Sequence, residues 1–160
     1  MKTLTDLFEN QLHKLYDGEK QMIASLPKVI EKTTNKDLKN TLENHLTETK
    51  NQKTRLEEIS KSLNFNPTGK TCKGMKSLIE EMEDFLEEAE NEEIKNAGII
   101  ANAQKIEHYE ISGYGTAIEF AKELGHQDIA KKLQTSLKEE NQADHSLTHI
   151  AEKRINKKAT

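Results

Sequence analysis

The sequence predicts an all-α protein: four long helices in a bundle, with a long crossover between the second and the third. Three observations lead there. Only 2 prolines and 7 glycines punctuate 160 residues, too few for the frequent turns of a sandwich or barrel. Val29 is the only valine, whereas a parallel sheet needs strands rich in β-branched residues. Charged residues make up 32% and hydrophobic ones 33%, the balance of amphipathic helices that each bury one narrow stripe. No stretch approaches the roughly 18 apolar residues of a membrane span.

The first helix is expected over about 4–32, started by Thr5 or Asp6 as a cap and kinked or bounded by Pro27. Thr33-Thr34-Asn35 breaks the pattern, and Asn35 is placed to cap a second helix over about 36–63. Asn64-Phe65-Asn66-Pro67-Thr68-Gly69 is a dense turn signal. A shorter helix follows over about 74–90. The third long helix covers about 93–124 and stops at Gly125, in the position where glycine ends helices. The last covers about 127–156. Residues 1–160 read as a single domain. Antiparallel neighbours need only 2–8 residues of loop, so the roughly 30-residue connection must run the length of the bundle.

The 24 basic and 28 acidic residues give a net charge of −4. The two signs are interspersed, which excludes a nucleic-acid footprint. The lone Cys72 suits a reducing compartment, and no apolar leader segment is visible at the N-terminus. A cytoplasmic protein without nucleic-acid or membrane partners is the expectation.

The buried stripes carry the chemistry. Helix one reads Leu4, Phe8, Leu12, Leu15, Glu19, Met22, Leu26, Val29. Helix two reads Leu38, Leu42, His45, Glu48 or Thr49, Gln52, Leu56, Ile59, Leu63. Helix three reads Ile94, Ala97, Ala101, Gln104, Glu107 or His108, Ile111, Tyr114, Ile118, Ala121. Helix four reads Ala130, Leu133, Leu137, Glu140, Asp144, Leu147, Ala151. Each is apolar at both ends and polar near the middle. One carboxylate on a stripe can be a side chain reaching water; four at matching depth are a pattern. Facing carboxylates in a core must hold protons, pair with bases or bind cations, because each uncompensated buried charge costs several kcal/mol. No Lys or Arg other than the flanking Lys105 stands near these positions, which makes divalent metal the economical answer.

Glu19, Glu48, Glu107 and Glu140 are therefore the first candidate metal ligands. Gln52, Asp144 and His45 are candidates either as ligands or as partners that orient them. His108, and the His145 and His149 pair, read as interface or surface residues, and Tyr109 and Tyr114 as packing, with a redox or hydrogen-bond role open to a tyrosine near such a site. Gly113 and Gly115 each cost about 1 kcal/mol against Ala inside a helix, which points to close helix approach.

The run Ala103-Gln104-Lys105-Ile106-Glu107-His108-Tyr109-Glu110-Ile111-Ser112-Gly113-Tyr114-Gly115-Thr116 carries a resemblance. So do Leu15-Tyr16-Asp17-Gly18-Glu19-Lys20-Gln21, His45-Leu46-Thr47-Glu48-Thr49 with Gln52 and Arg55-Leu56, and Leu137-Lys138-Glu139-Glu140 with Asp144. With Cys72 and Met75-Lys76-Ser77-Leu78-Ile79-Glu80 in the crossover, the chain resembles, over nearly its whole length, the YciE/YciF family of bacterial ferritin-like proteins. That family was once catalogued only as a domain of unknown function. The resemblance implies a ferritin-like four-helix bundle, a homodimer, a link to bacterial stress responses and a di-iron centre. Glu107 and Glu110 match the double glutamate of rubrerythrin-like helices, which adds Glu110 to the candidates.

Rubrerythrins and bacterioferritins carry Glu-x-x-His on helices two and four. Here Asn51 and Ala143 stand at the histidine positions, and helices two and four share Glu48…Gln52 and Glu140…Asp144 instead. The oxygen-rich set suits manganese, magnesium, calcium or ferric iron better than zinc. The functional expectation is a protein holding two divalent ions, iron with manganese as the alternative, with ferroxidase or peroxide- or O₂-reducing activity on a small oxidant. The alternative is a metal-free helical dimer acting as a structural or partner-binding stress protein.

Overall fold

The structure, a computed structural model, describes residues 1–159. Five helices account for most of them: α1 (Leu4–Lys32), α2 (Lys36–Ser62), α3 (Lys73–Glu88), α4 (Glu92–Glu123) and α5 (Gln127–Ile150). A π-helical turn over Ala151–Ile155 and a short helical turn over Asn156–Lys158 follow α5. Among the described residues there is no strand.

The ends of the helices follow from local chemistry. Thr3 caps α1 and shares a capping box with Asp6, so Asp6 is the third residue of the helix and not its cap. Asn35 accepts the Leu38 N–H at 3.0 Å and starts α2. α2 ends at Asn64, which takes a left-handed φ of 58°. The Phe65 N–H then bonds the Ser60 carbonyl and the Asn64 N–H the Lys61 carbonyl, the double closure of a Schellman ending. α4 ends the same way on Gly125, at φ 78°. Pro27 lies inside α1, which runs unbroken past it. The proline is exposed, so its ring faces solvent, and the burial of Leu26 and Val29 holds the helix together.

α1 packs against α2 and α4, and α5 against α2 and α4, so the four long helices close a ring. Contacts set their directions. Gln11 reaches Gly113 and Thr34 reaches Asn96, so α1 and α4 are antiparallel. Arg55 reaches Ser136 and Lys132 reaches Glu58, so α2 and α5 are antiparallel. α2 and α4 therefore run the same way, and the segment between them must return along the molecule. α3 makes that return over α1 and α4.

α3 also corrects the stripe read for the start of α4. Ile94 is 41% exposed and Ala101 is exposed, while Asn96, Ile99, Ile100, Ala103 and Ile106 are buried. Packing by α3 buries a face that a bare bundle would leave in water. Phe85 of α3 lies so close to Gly98 that a Cβ there would meet the ring at 1.9 Å.

The interior falls into two apolar clusters. One gathers Met22, Leu26, Leu42, Met75, Ile99, Ile106 and Leu147 among others. The other gathers Phe8, Leu12, Leu56, Ile59, Tyr114, Ile118 and Leu133. Between them lie Glu19, His45, Thr49, Gln52, Glu107, Glu110, Ser136 and Glu140, all buried.

Candidate metal centre

Each long helix contributes to this middle layer. α1 supplies Glu19, α2 supplies His45 and Gln52, α4 supplies Glu107 and Glu110, and α5 supplies Glu140. Spacing of three or four residues keeps His45, Thr49 and Gln52 on one face of α2, as it keeps Glu107, Glu110 and Tyr114 on one face of α4.

His45, Glu107, Glu110 and Glu140 converge: each offers a ligand atom, and these atoms lie within 4.8 Å of one another. Donors about 2.0–2.5 Å from a shared cation span such distances, so this buried His/Glu group could hold a metal ion. Glu19 shares the layer, its Oε1 accepting the Tyr114 hydroxyl. The Gln52 amide donates to Glu140 Oε1.

The hydrogen bonding of the layer is incomplete. Glu19 Oε2, both His45 ring nitrogens, Gln52 Oε1, Glu107 Oε2, both Glu110 oxygens and Glu140 Oε2 are buried without a hydrogen-bond partner. Among the described residues these are the buried side-chain polar atoms left in that state. Buried polar groups in folded proteins are nearly always paired, and each orphan costs roughly 1–3 kcal/mol. Their concentration in one layer, with lone pairs turned inward, is what a cation would satisfy.

Electrostatics agree with the geometry. Burial pushes the Glu19, Glu107 and Glu110 carboxyls well above the usual carboxylate range, and the Glu140 charge adds to the rise in each. Burial also lowers the His45 imidazole, against the pull of Glu140 and Glu139. His45 Nε2 stands 3.4 Å from Glu107 Oε1, but a neutral imidazole makes no ion pair there.

Two candidates stay outside the buried layer altogether. Glu48 is half-buried, its Oε2 4.0 Å from His45 Nδ1. Asp144 is partly exposed, accepting from Gln104 Nε2 at 3.0 Å and lying 3.3 Å from His108. On α2 the inward face runs through His45, Thr49 and Gln52, and on α5 through Leu133, Ser136, Glu140, Ala143 and Leu147. Leu137 and Asp144 thus fall one residue off the stripe.

The nearest cation also differs from the sequence reading. Lys105 is exposed and pairs with Glu81 at 3.2 Å. Arg55, on α2, reaches across to α5 instead, donating to Ser136 at 2.6 Å and to both Glu139 oxygens at 3.0 and 3.1 Å. Its positive charge acts on Glu19. Stripe reasoning misses Arg55 because it sits on a flank whose neighbour only the bundle order reveals. Tyr114, four residues after Glu110, takes the hydrogen-bonding role open to a tyrosine near such a site, its hydroxyl donating to Glu19.

The family model described as Domain of unknown function (DUF892) matches residues 3–160. This chain belongs to that family. The DUF892 chain is 39% identical over 160 residues to Protein YciF of Escherichia coli (strain K12), covering 99% of this chain and 96% of that protein. It superposes on the crystal structure of the E. coli stress protein YciF with a TM-score of 0.93, 39% identity and coverage of 98% and 99%. It superposes on YcfI of Rhodopseudomonas palustris with a TM-score of 0.90, 42% identity and coverage of 92% and 94%. A Xanthomonas campestris protein at 18% identity, TM-score 0.74, shares the fold, with 98% and 99% of the two chains covered. No helix of the described residues is long and apolar enough to cross a membrane.

Proposed function

We propose that this protein is a ferritin-like four-helix bundle holding two divalent ions, iron with manganese as the alternative. The observation that carries the reading is the set of unpartnered, buried donors on Glu19, His45, Gln52, Glu107, Glu110 and Glu140. His45, Glu107, Glu110 and Glu140 hold one ion; Glu19 and Gln52 bring further oxygens for the second. Glu48 and Asp144 flank them. Five carboxylate or amide oxygen donors to one imidazole favour iron or manganese over zinc. Ferrous ions held there would supply the electrons for two-electron reduction of dioxygen or peroxide. The chain's part is to fix the donors, exclude bulk water with the two flanking apolar clusters, and hold the layer's protons until a cation displaces them. Its role on this reading lies in the bacterial stress response, by analogy with the E. coli stress protein YciF, and a cytoplasmic homodimer completes the proposal.

Anaerobic titration with Fe²⁺ or Mn²⁺ tests this. Micromolar binding with release of protons supports it, and failure to bind either ion sinks it. A second reading draws on the raised carboxyls: protonated, they can remain buried without metal. For YcfI a structural role has been suggested. On that reading the chain is a metal-free helical dimer that binds partners, and the same titration separates the two.

A further inference from the structure

A cavity of about 180 Å³ opens between α1 and α4 and ends at the candidate metal centre. Its walls change from outside inward. Lys14, Ser112 and Thr116 at its mouth are exposed, while Gly18, Met75 and Glu110 at its base are buried. Glu110 is 2% exposed and neither of its oxygens has a partner. Gly18 keeps the base open: a Cβ there would stand 4.0 Å from Glu110 Oε1 and 3.5 Å from the end of Met75. A water needs about 10–15 Å³ of such space, so several waters or a small solute fit. A second cavity meets the cluster from the other side, at His45 and Glu107, but it is about 20 Å³ and walled by Met22, Leu26, Val29 and Ile106.

We propose that the α1–α4 cavity is the entry route for a small, neutral, hydrogen-bonding oxidant of the hydrogen peroxide class, delivered to Glu110. The lining selects for that chemistry. Gln11, Ser112, Thr116 and Tyr109 offer hydrogen bonds along the path, which a neutral polar solute can exchange for those it makes to water. Lys14 stands at the mouth, and Glu110 is the only acid on the walls, so no string of carboxylates draws a cation inward. The proposal rests on the metal-centre reading for its purpose, but the route can be tested without metal.

The test places a reporter thiol at the base. In a Cys72→Ser background, Gly18→Cys is treated with neutral methyl methanethiosulfonate and with its anionic and cationic analogues. The Cβ itself meets only ordinary contacts, and Gly18→Ala serves as the folding control by thermal melting. The native protein is expected to react with the neutral reagent, and a Thr116→Trp change at the exposed mouth to slow that reaction at least tenfold. Iron-loaded protein with Thr116→Trp alone is expected to lose peroxide consumption tenfold with its iron affinity unchanged. An unreactive thiol in the native protein, or labelling indifferent to Thr116→Trp, overturns the route. Faster labelling by the cationic reagent overturns the assignment of a neutral solute. Failure to bind iron at all defeats the metal reading and leaves the thiol result to decide the route by itself.

Discussion

Replacing Glu107 by Gln keeps the shape of the side chain and removes one titrating group from the middle layer. Glu107 is raised above the ordinary glutamate range by burial and by Glu140. In the metal-free protein its proton is held in the folded state and released in the unfolded one. The stability it contributes is therefore fully present below the unfolded value of about 4.3. It is lost as pH rises through the folded value. Within that window one such group costs up to about 1.4 kcal/mol per pH unit. Glu19, Glu107 and Glu110 are raised together, so the wild-type slope reaches at most about 4 kcal/mol per pH unit. Glu107→Gln removes one such contribution. A domain of this size shifts its Tm by roughly 2–4 °C per kcal/mol. The variant and wild type are expected to melt together near pH 4.5, the variant gaining up to about 3–6 °C for each unit above.

Metal works in the opposite direction. A cation at 100 times its Kd stabilises by about 2.7 kcal/mol, or roughly 5–11 °C. A hundredfold loss of affinity leaves about 0.4 kcal/mol, near 1 °C. Thermal melts across pH 4.5–8, with and without Mn²⁺ or Fe²⁺, read both effects. A variant less stable at every pH, with metal stabilisation intact, would refute the assignment of Glu107 to an interior cation site.

Tyr114→Phe leaves Glu19 Oε1 without its hydroxyl donor; a loss of roughly 1–3 kcal/mol is expected by chemical denaturation of the metal-free protein. Gly98→Ala drives a methyl into the Phe85 ring, so the contact of α3 with α4 should weaken, seen as faster amide exchange in α3 and a cost of about 1–3 kcal/mol. Asn96→Ala removes an acceptor for the Thr34 and Asn35 N–H groups and a donor to Thr34; a drop of about 1–3 kcal/mol with the m-value unchanged is expected in urea. Asn64→Gly relieves the left-handed backbone at φ 58° and should be within about 0.5 kcal/mol of wild type, whereas Asn64→Val should lose at least about 1 kcal/mol.

Much of this was legible because long helices announce themselves. Gly125 and Asn35 bound helices through chemistry that acts within one turn, and the apolar–polar–apolar rhythm of α1 maps onto its buried face from Phe8 to Val29, with Leu4 left exposed. What was not legible came from neighbours. The choice between Glu48 and Thr49 depends on a rotation of α2 that one stripe cannot fix, since both spacings fit a helix. Thr49, wholly buried, turns its hydroxyl back to the His45 carbonyl, and a small residue there lets α2 settle with Glu48 on its flank. The same slip moved Asp144 off the face that Ala143 occupies. α4 was misread in its first half because α3 covers it from outside the ring. Pro27 was overweighted: near the end of a 29-residue helix and facing water, it disturbs less than burial on either side secures.

The polar layer also divides the molecule mechanically. Each apolar cluster is a hydrophobic nucleus with helices passing through it, and the plane between them holds acids that must keep their protons or repel one another. Cooperativity then rests on the weakest section of the protein. With that section bare, the two ends are joined chiefly by continuous helix, and within it the Tyr114–Glu19 and Gln52–Glu140 bonds tie neighbouring helices side by side. A cation clamped across the four helices would turn the softest plane into the stiffest. Occupancy of the centre would be felt at both ends as a change in how far the chain unfolds as one body.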